Sequence, residues 1–537
     1  MAEVIHAQDR RRLLTLLGPA YLWLTLAVFL PLSAMLFFSF LSDMPGDAPD
    51  WGVTLGNYAQ FLENPTYATL LWKSLKLGVT VTLFCILIGY PCALVLAKSI
   101  KGRAREALFL MVILPFWSNS LVRIFSWAIV LRGNGVLERT LNWILPFDIR
   151  LNLMFTTEAV VIGLVHSYLP YVILTSYLAL QAIDDDLIDA ARSMGASKLT
   201  ILNRLLLPLS LPGLLAGAVL VFVPVVGSFM EPRILGGRMG TYYGSLQLAA
   251  GGRAVVHPAG GGAGDPRRRL AGAAEGADMS PIALLGRIWL VLILIFLYAP
   301  ILVMAAMSFN ASPFYQLPFE YSSKWYSDMA GNEQIVTAAI RSVLIACAVT
   351  AIATAVGTAA SVALFRYEFR GKKLLQALLF PPIAIPWLIT GTAMLVFFFT
   401  IGIGRGTPAV IIGHVALALP YVIVTVTARL SSFDVTLEEA ARSMGAGAWT
   451  VLRRVTLPWI APGIVAGALF AFAVSFDQFV VSYFLSKPGD STLPVLIYTA
   501  IRKGFTPEIN AISTIIIAVS MAVMFLAARY SKFGGDR

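Results

Sequence analysis

Apolar residues fall in long runs separated by short stretches where charge, glycine and proline collect. The runs cover residues 16–41, 74–97, 107–132, 157–182 and 211–231 in the first half, and 284–308, 338–365, 374–400, 408–430, 463–484 and 509–529 in the second. A helix of about 20 residues crosses a hydrocarbon core of about 30 Å. Backbone polar groups in lipid have to be satisfied within their own segment, so each run predicts a helix. The expected fold class is all-α, a polytopic transmembrane protein with about 11 visible spans.

Composition supports the lipid environment. The 537 residues are 58% hydrophobic and only 13% charged, with a mean hydropathy of +0.78. A soluble domain carries about 25% charge. The net charge of +11 is placed beside the spans. Lys98, Lys101, Arg103 and Arg105 follow the second run, and Arg366, Arg370, Lys372 and Lys373 follow its later counterpart. Arg10, Arg11 and Arg12 precede the first run, whereas the loop 42–73 carries Asp43, Asp47 and Asp50. Basic loops mark the cytoplasmic side, which puts the N-terminus there and argues against nucleic acid as a partner. The first run is too long for a signal peptide and has no clear cleavage site. Cys85, Cys92 and Cys347 lie inside apolar runs without disulfide or metal spacing and read as packing residues. His166 and His414, alone in their spans, read as structural. No cofactor is expected.

The chain repeats itself. Residues 163–222 align without gaps on 413–472 at an offset of 250, with 29 identities in 60 positions. Farther upstream the offset becomes 268, pairing Tyr58, Asn64 and Ser74 with Tyr326, Asn332 and Ser342. Both copies run in the same direction with the same charge bias, as expected of parallel repeats related by an axis along the membrane normal. The predicted organisation is a first repeat over 1–240, a Gly/Ala/Arg-rich segment over 241–280 and a second repeat over 281–537.

Between the fourth and fifth runs of each half lies a polar segment, residues 184–213 and 434–463. Each begins with acids at a helix start, where the macrodipole favours them. Two alanines follow, small enough to let another backbone come close, and then a glycine able to end the helix. These segments resemble the EAA loop of ABC-importer permeases, the binding-protein-dependent inner-membrane component family. The resemblance rests on Asp189, Ala190, Ala191 and Gly195, and on Glu439, Ala440, Ala441 and Gly445. In that family the loop is a coupling helix seated in a cleft of the ATPase, which implies two ATPase copies here. Asp189 departs mildly from the usual Glu. The chain has no GxxxxGK[ST] phosphate loop, so ATP hydrolysis by that route is expected on separate subunits and the chain itself is not an enzyme.

Within the family, the first half is similar to the first permease subunit of spermidine/putrescine importers, through Pro115-Phe116-Trp117, Leu121-Val122-Arg123, Ser126-Trp127 and Gly133-Asn134-Gly135. The second half is similar to the second subunit, through Ser475-Phe476-Asp477 and Thr506-Pro507-Glu508-Ile509-Asn510-Ala511. The resemblance implies a bacterial inner membrane, an extracytoplasmic solute-binding protein and a polyamine substrate. Related permeases carry ferric iron, thiamine or oxyanions. An ion-gradient-driven secondary transporter is the alternative from another class, and the doubled EAA segment speaks against it.

The residues themselves point to a cation. Intramembrane acids are costly and mark pathways. Asp477 and Glu231 are the candidates, with Trp117, Trp127 and Phe476 as aromatic faces and Arg123 as a neutralising partner.

The first half presents a conflict. Six spans per repeat, 12 in all, are expected of the family, but residues 245–278 are too rich in Gly, Ala and Arg to make the sixth. Five spans would invert the second half, against its own basic loops. Three explanations stand: an out-of-frame read joining two genes through Met279, a segment that crosses when buried by neighbours, or a second protein starting at Met279.

Overall fold

The computed structural model describes residues 7–43, 52–117, 119–133, 135–144, 150–151, 153–237, 281–312, 319–379, 381–503 and 507–533. The Gly/Ala/Arg-rich segment 241–280, in which the sequence predicts no sixth span, lies outside the described residues. Among the described residues the structure is helical, apart from the isolated bridges Leu41–Val53 and Asn310–Tyr321 in the loops after each repeat's first helix.

The first repeat contains α1 (Arg11–Phe38), α2 (Pro65–Ser99), α3 (Gly102–Ile113), α4 (Ser120–Leu131), α5 (Val136–Ile144), α6 (Thr157–Gln181), α7 (Asp185–Ser193), α8 (Lys198–Val226) and α9 (Met230–Leu235). The second contains α10 (Leu284–Met307), α11 (Glu333–Arg366), α12 (Lys372–Ala377), α13 (Trp387–Thr400), α14 (Thr407–Leu430), α15 (Thr436–Ser443), α16 (Ala448–Asp477), α17 (Val480–Leu485), α18 (Leu493–Lys503) and α19 (Glu508–Phe533). Eight of the described helices are singly long and apolar enough to cross a bilayer: α1, α2, α6, α8, α10, α11, α14 and α16.

Two runs expected to be single helices are broken. The run 107–132 divides into α3, a tight turn over Leu114–Trp117, and α4. Pro115 has no N–H to donate, and Asn119 restarts the helix by accepting from the amides of Leu121 and Val122 at 3.0 and 3.2 Å. The run 374–400 likewise divides into α12, one turn over Pro381–Ala384, and α13, with Pro386 just before the last. In the opposite sense, the polar stretches after α7 and α15 are continuous with the spans that follow. They join through π-helical turns at Leu202–Leu206 and Leu452–Thr456, and Pro208 and Pro458 stand where the next α-helical stretch begins.

The compact units cut across the repeats. One comprises residues 1–68, 116–151 and 301–537, the other 69–115 and 152–300. In the first unit, α1 of the first repeat lies against the second repeat. Tyr21 Oη donates to the Leu375 carbonyl at 2.9 Å, Trp23 Nε1 donates to the Ile412 carbonyl at 3.0 Å, and Leu13, Leu17, Ala20 and Leu24 share a buried cluster with Val349 and Ala353. In the second unit, α10 of the second repeat lies against the first. Trp289 Nε1 donates to the Ile88 carbonyl at 3.2 Å, Tyr298 Oη donates to the Met111 carbonyl at 2.9 Å, and His166 Nε2 is 3.0 Å from the Leu297 carbonyl. Each repeat's first helix completes the other repeat's bundle.

Candidate functional site

The two short polar helices are built alike. Asp184 and Asp434 stand at the helix starts and accept from the amides of Asp186 and Thr436 at 3.1 and 3.0 Å. Both helices end in the same hydrogen-bonded turn. The amide of Ala196 donates to the Ala191 carbonyl and that of Gly195 to Arg192; Ala446 donates to Ala441 and Gly445 to Arg442. This double closure requires a left-handed residue after the helix, and Gly195 and Gly445 supply it with φ of +80° and +86°. An added Cβ would touch nothing within 4 Å at either position, so only backbone strain opposes a side chain. Gly195→Ala or Gly445→Ala is expected to cost about 1 kcal/mol locally. Amide hydrogen exchange in Ala190–Ala196 or Ala440–Ala446 would then speed up about fivefold, and unchanged rates would contradict this reading of the turn.

The exposed faces also match. Leu187 and Ala190 on α7 and Met194 just past its end lie outward, as do Leu437 and Ala440 on α15 and Met444 just past its end. The two methionines are 81% and 82% exposed. The spacing of three and then four residues places each trio on one side of its helix. The opposite side is the seat: Ile188 is buried and Ala191 half-buried on α7, and Glu438 and Ala441 are buried on α15. Of the paired alanines, the first therefore faces outward and the second anchors the helix. Asp189 and Glu439 are exposed beside the outward trio, Asp189 pairing with Arg192 at 2.8 Å. Leucine and methionine were not singled out from sequence; their identity in both repeats at helical spacing was the available signal.

Each helix is tied to a longer span by a basic residue. Lys98, in the last turn of α2, donates to the Ile183 carbonyl at 2.6 Å and to Asp185 Oδ1 at 2.7 Å. That hydrogen bond holds the Asp185 carboxyl below its ordinary value of 3.8. A depressed acid contributes its attachment above the unfolded value and loses it as pH falls through the folded one, so this tie is fully made at neutral pH. In the second repeat, Arg366 donates to Glu438 Oε1 at 2.5 Å.

A second cluster surrounds Asp477, at the end of α16. Its Oδ1 accepts from the Ser120 amide at 2.9 Å, at the restart of the broken third run. Arg123, one turn farther along α4 and buried, lies close enough for its charge to act on Asp477. Phe476 stacks on Phe472 with centroids 5.8 Å apart and planes at 8°. Asp477, Phe472, Phe476 and Asn119 line a cavity of about 220 Å³ whose remaining walls, including Val343, Ile512 and Ile516, are mostly aliphatic. Asp477, Phe476 and Arg123 thus come together from positions more than 350 residues apart in the chain. A carboxylate, a pair of stacked rings and apolar walls form surroundings suited to an alkylammonium ion.

The other candidates lie elsewhere. Glu231 is on α9, buried, with Ser228 Oγ donating to it at 2.6 Å, and it does not line this cavity. Trp117 ends the turn before α4, and its side chain lies outside the described residues. His414 contacts Ser475 Oγ and Ser482 Oγ at 3.0 Å each, and His166 contacts a carbonyl, consistent with structural roles.

The pattern of the family described as the binding-protein-dependent transport system inner membrane component matches residues 89–253 and 355–532. The chain belongs to this family. It is a multi-pass permease component of an ABC importer, with two family units in one polypeptide. Among relatives of this permease, the spermidine/putrescine transport system permease protein PotC of Haemophilus influenzae is 38% identical over 233 residues, 43% of this chain and 90% of that protein. The PotC protein of Escherichia coli K12 is 37% identical over 234 residues, 44% of this chain and 88% of the relative. The PotB protein of the same strain is 38% identical over 224 residues, 42% of this chain and 81% of the relative. One chain of a solved bacterial ABC transporter involved in alginate import overlaps 46% of the permease and 93% of itself at 19% identity, with a TM-score of 0.38. That overlap is too slight to add to the assignment.

Proposed function

We propose that this permease forms the membrane pathway of a polyamine importer, with an ATPase subunit seated on each of α7 and α15. The observation that carries the coupling role is the duplicated outward trio, Leu187/Ala190/Met194 and Leu437/Ala440/Met444, on two identically terminated short helices. Exposed apolar side chains on helices capped at both ends suit a partner's groove. On this reading both helices face the cytoplasm, and closure of the ATPase pair drives the attached spans between two discrete packings. An extracytoplasmic binding protein delivers the substrate.

The polyamine assignment is supported by the Asp477 cluster and by the names of the relatives in both halves. Asp477 would attract one ammonium group, while Phe472 and Phe476 present ring faces to the methylene chain and its charged end. Glu231 and Trp117 are proposed as further pathway residues from their sequence positions.

The test is co-purification of the chain with a candidate ATPase, followed by reconstitution with its binding protein. Spermidine or putrescine should stimulate ATP hydrolysis and enter the vesicles. Stimulation by ferric iron, thiamine or an oxyanion alone would overturn the substrate assignment, and failure of any ATPase to associate would overturn the coupling role.

A further inference from the structure

At matching repeat positions, the seats of the two short helices are made from different chemistry. In the second repeat, Arg366 donates to Glu438 Oε1 at 2.5 Å and to Thr456 Oγ1 at 3.1 Å. Thr456 Oγ1 donates to the same carboxylate oxygen at 2.5 Å, and Arg442 approaches the other oxygen at 3.5 Å. Glu438 and Thr456 are 6% and 1% exposed. A buried carboxylate persists only while partners occupy its oxygens. These directional bonds therefore fix α11, α15 and the π turn opening α16 in one geometry.

In the first repeat, the residues aligned with Glu438 and Thr456 are Ile188 and Leu206, both buried. With no carboxylate at that place, Lys98, aligned with Arg366, reaches the Ile183 carbonyl and Asp185 instead. The Asp185 side chain is 65% exposed, where an ion pair adds little restraint. Apolar contact between Ile188 and its surroundings has no preferred direction. Both buried positions have changed character together, so the difference between repeats is one of mechanism of attachment and not of a single side chain.

We infer that the two coupling helices transmit motion unequally: α15 is a stiff lever bound to two spans, and α7 rocks on an apolar seat. Arg366, Glu438 and Thr456 are positioning residues that act through α15. The inference rests on the proposal that ATPases seat on these helices.

The triple variant Arg366→Lys, Glu438→Ile, Thr456→Leu gives the second repeat the first repeat's residues at these three aligned positions, with Val435 standing where the first repeat has Asp185. Spin labels at Ser193→Cys and Ser443→Cys, in the full chain with Cys85, Cys92 and Cys347 replaced by Ala, report helix motion without any ATPase. The label at position 443 should be the slower, and in the triple variant its mobility should rise to that at position 193. In the reconstituted complex the triple variant should lose at least about fivefold in substrate moved per ATP while the ATPase still co-purifies, whereas Lys98→Met should lose less than about twofold. Equal mobility of the two labels in the otherwise unchanged chain, or full transport per ATP in the triple variant, would overturn the inference. Failure of the unchanged chain to bind an ATPase would instead overturn the docking proposal, with the mobility comparison unaffected.

Discussion

Ala440→Trp leaves the permease folded and inserted but reduces its affinity for the ATPase about a hundredfold. Ala440 is exposed on α15, between Leu437 and Met444, so the larger side chain can project outward from that surface. A partner surface shaped for alanine would have to move aside. Disrupting the centre of a well-packed interface costs about 2–4 kcal/mol, and 2.7 kcal/mol corresponds to a hundredfold. Ala441→Trp is the contrasting variant. Ala441 is buried against the body, so its replacement is expected to overpack the seat and destabilise the helix by about 1–3 kcal/mol. Affinity measured by ATPase pull-down or biolayer interferometry, alongside thermal stability of the free chain, separates the two. Equal loss of stability in both variants, or full affinity in Ala440→Trp, would refute the outward placement of the first alanine.

Asp477→Asn is expected to lower polyamine uptake about thirtyfold. Asparagine keeps an oxygen able to accept from the Ser120 amide, so the substitution chiefly removes charge. A hydrogen bond to a charged group contributes about 1.5–3 kcal/mol, which brackets a thirtyfold change. The substitution also removes the negative charge that offsets Arg123, which disfavours an ammonium in the cavity. Uptake of labelled spermidine into proteoliposomes measures the effect, with ATPase association as the control. Uptake at the level of the unchanged permease would remove Asp477 from the pathway.

Much of this architecture was legible because lipid enforces a simple rule: apolar length means helix. The repeat, the capped polar helices and their terminal glycines followed from residue identity at fixed offsets. What sequence hid was geometry set by single residues inside apolar runs. Pro115 and Asn119 break the third run, and the break exposes the Ser120 amide that holds Asp477. Arg123 was recognisable as a partner by charge, whereas a backbone N–H has no letter of its own; the Ser118-Asn119-Ser120 cluster after Pro115 was its only trace. The tethers were hidden for another reason. Lys98 and Arg366 read as topology markers, and only folding reveals that one meets Asp185 and the other Glu438.

The exchange of first helices sets an order of events during synthesis. The apolar side of α1 waits in the bilayer until the second repeat has been made, because its partners around Val349, Ala353 and Ile412 come more than 300 residues later. Closing so distant a contact is slow and leaves an unfinished intermediate in the membrane. Truncation after the first repeat should therefore yield a product that is inserted yet readily degraded, and maturation would hinge on the last-made bundle capturing the first-made helix.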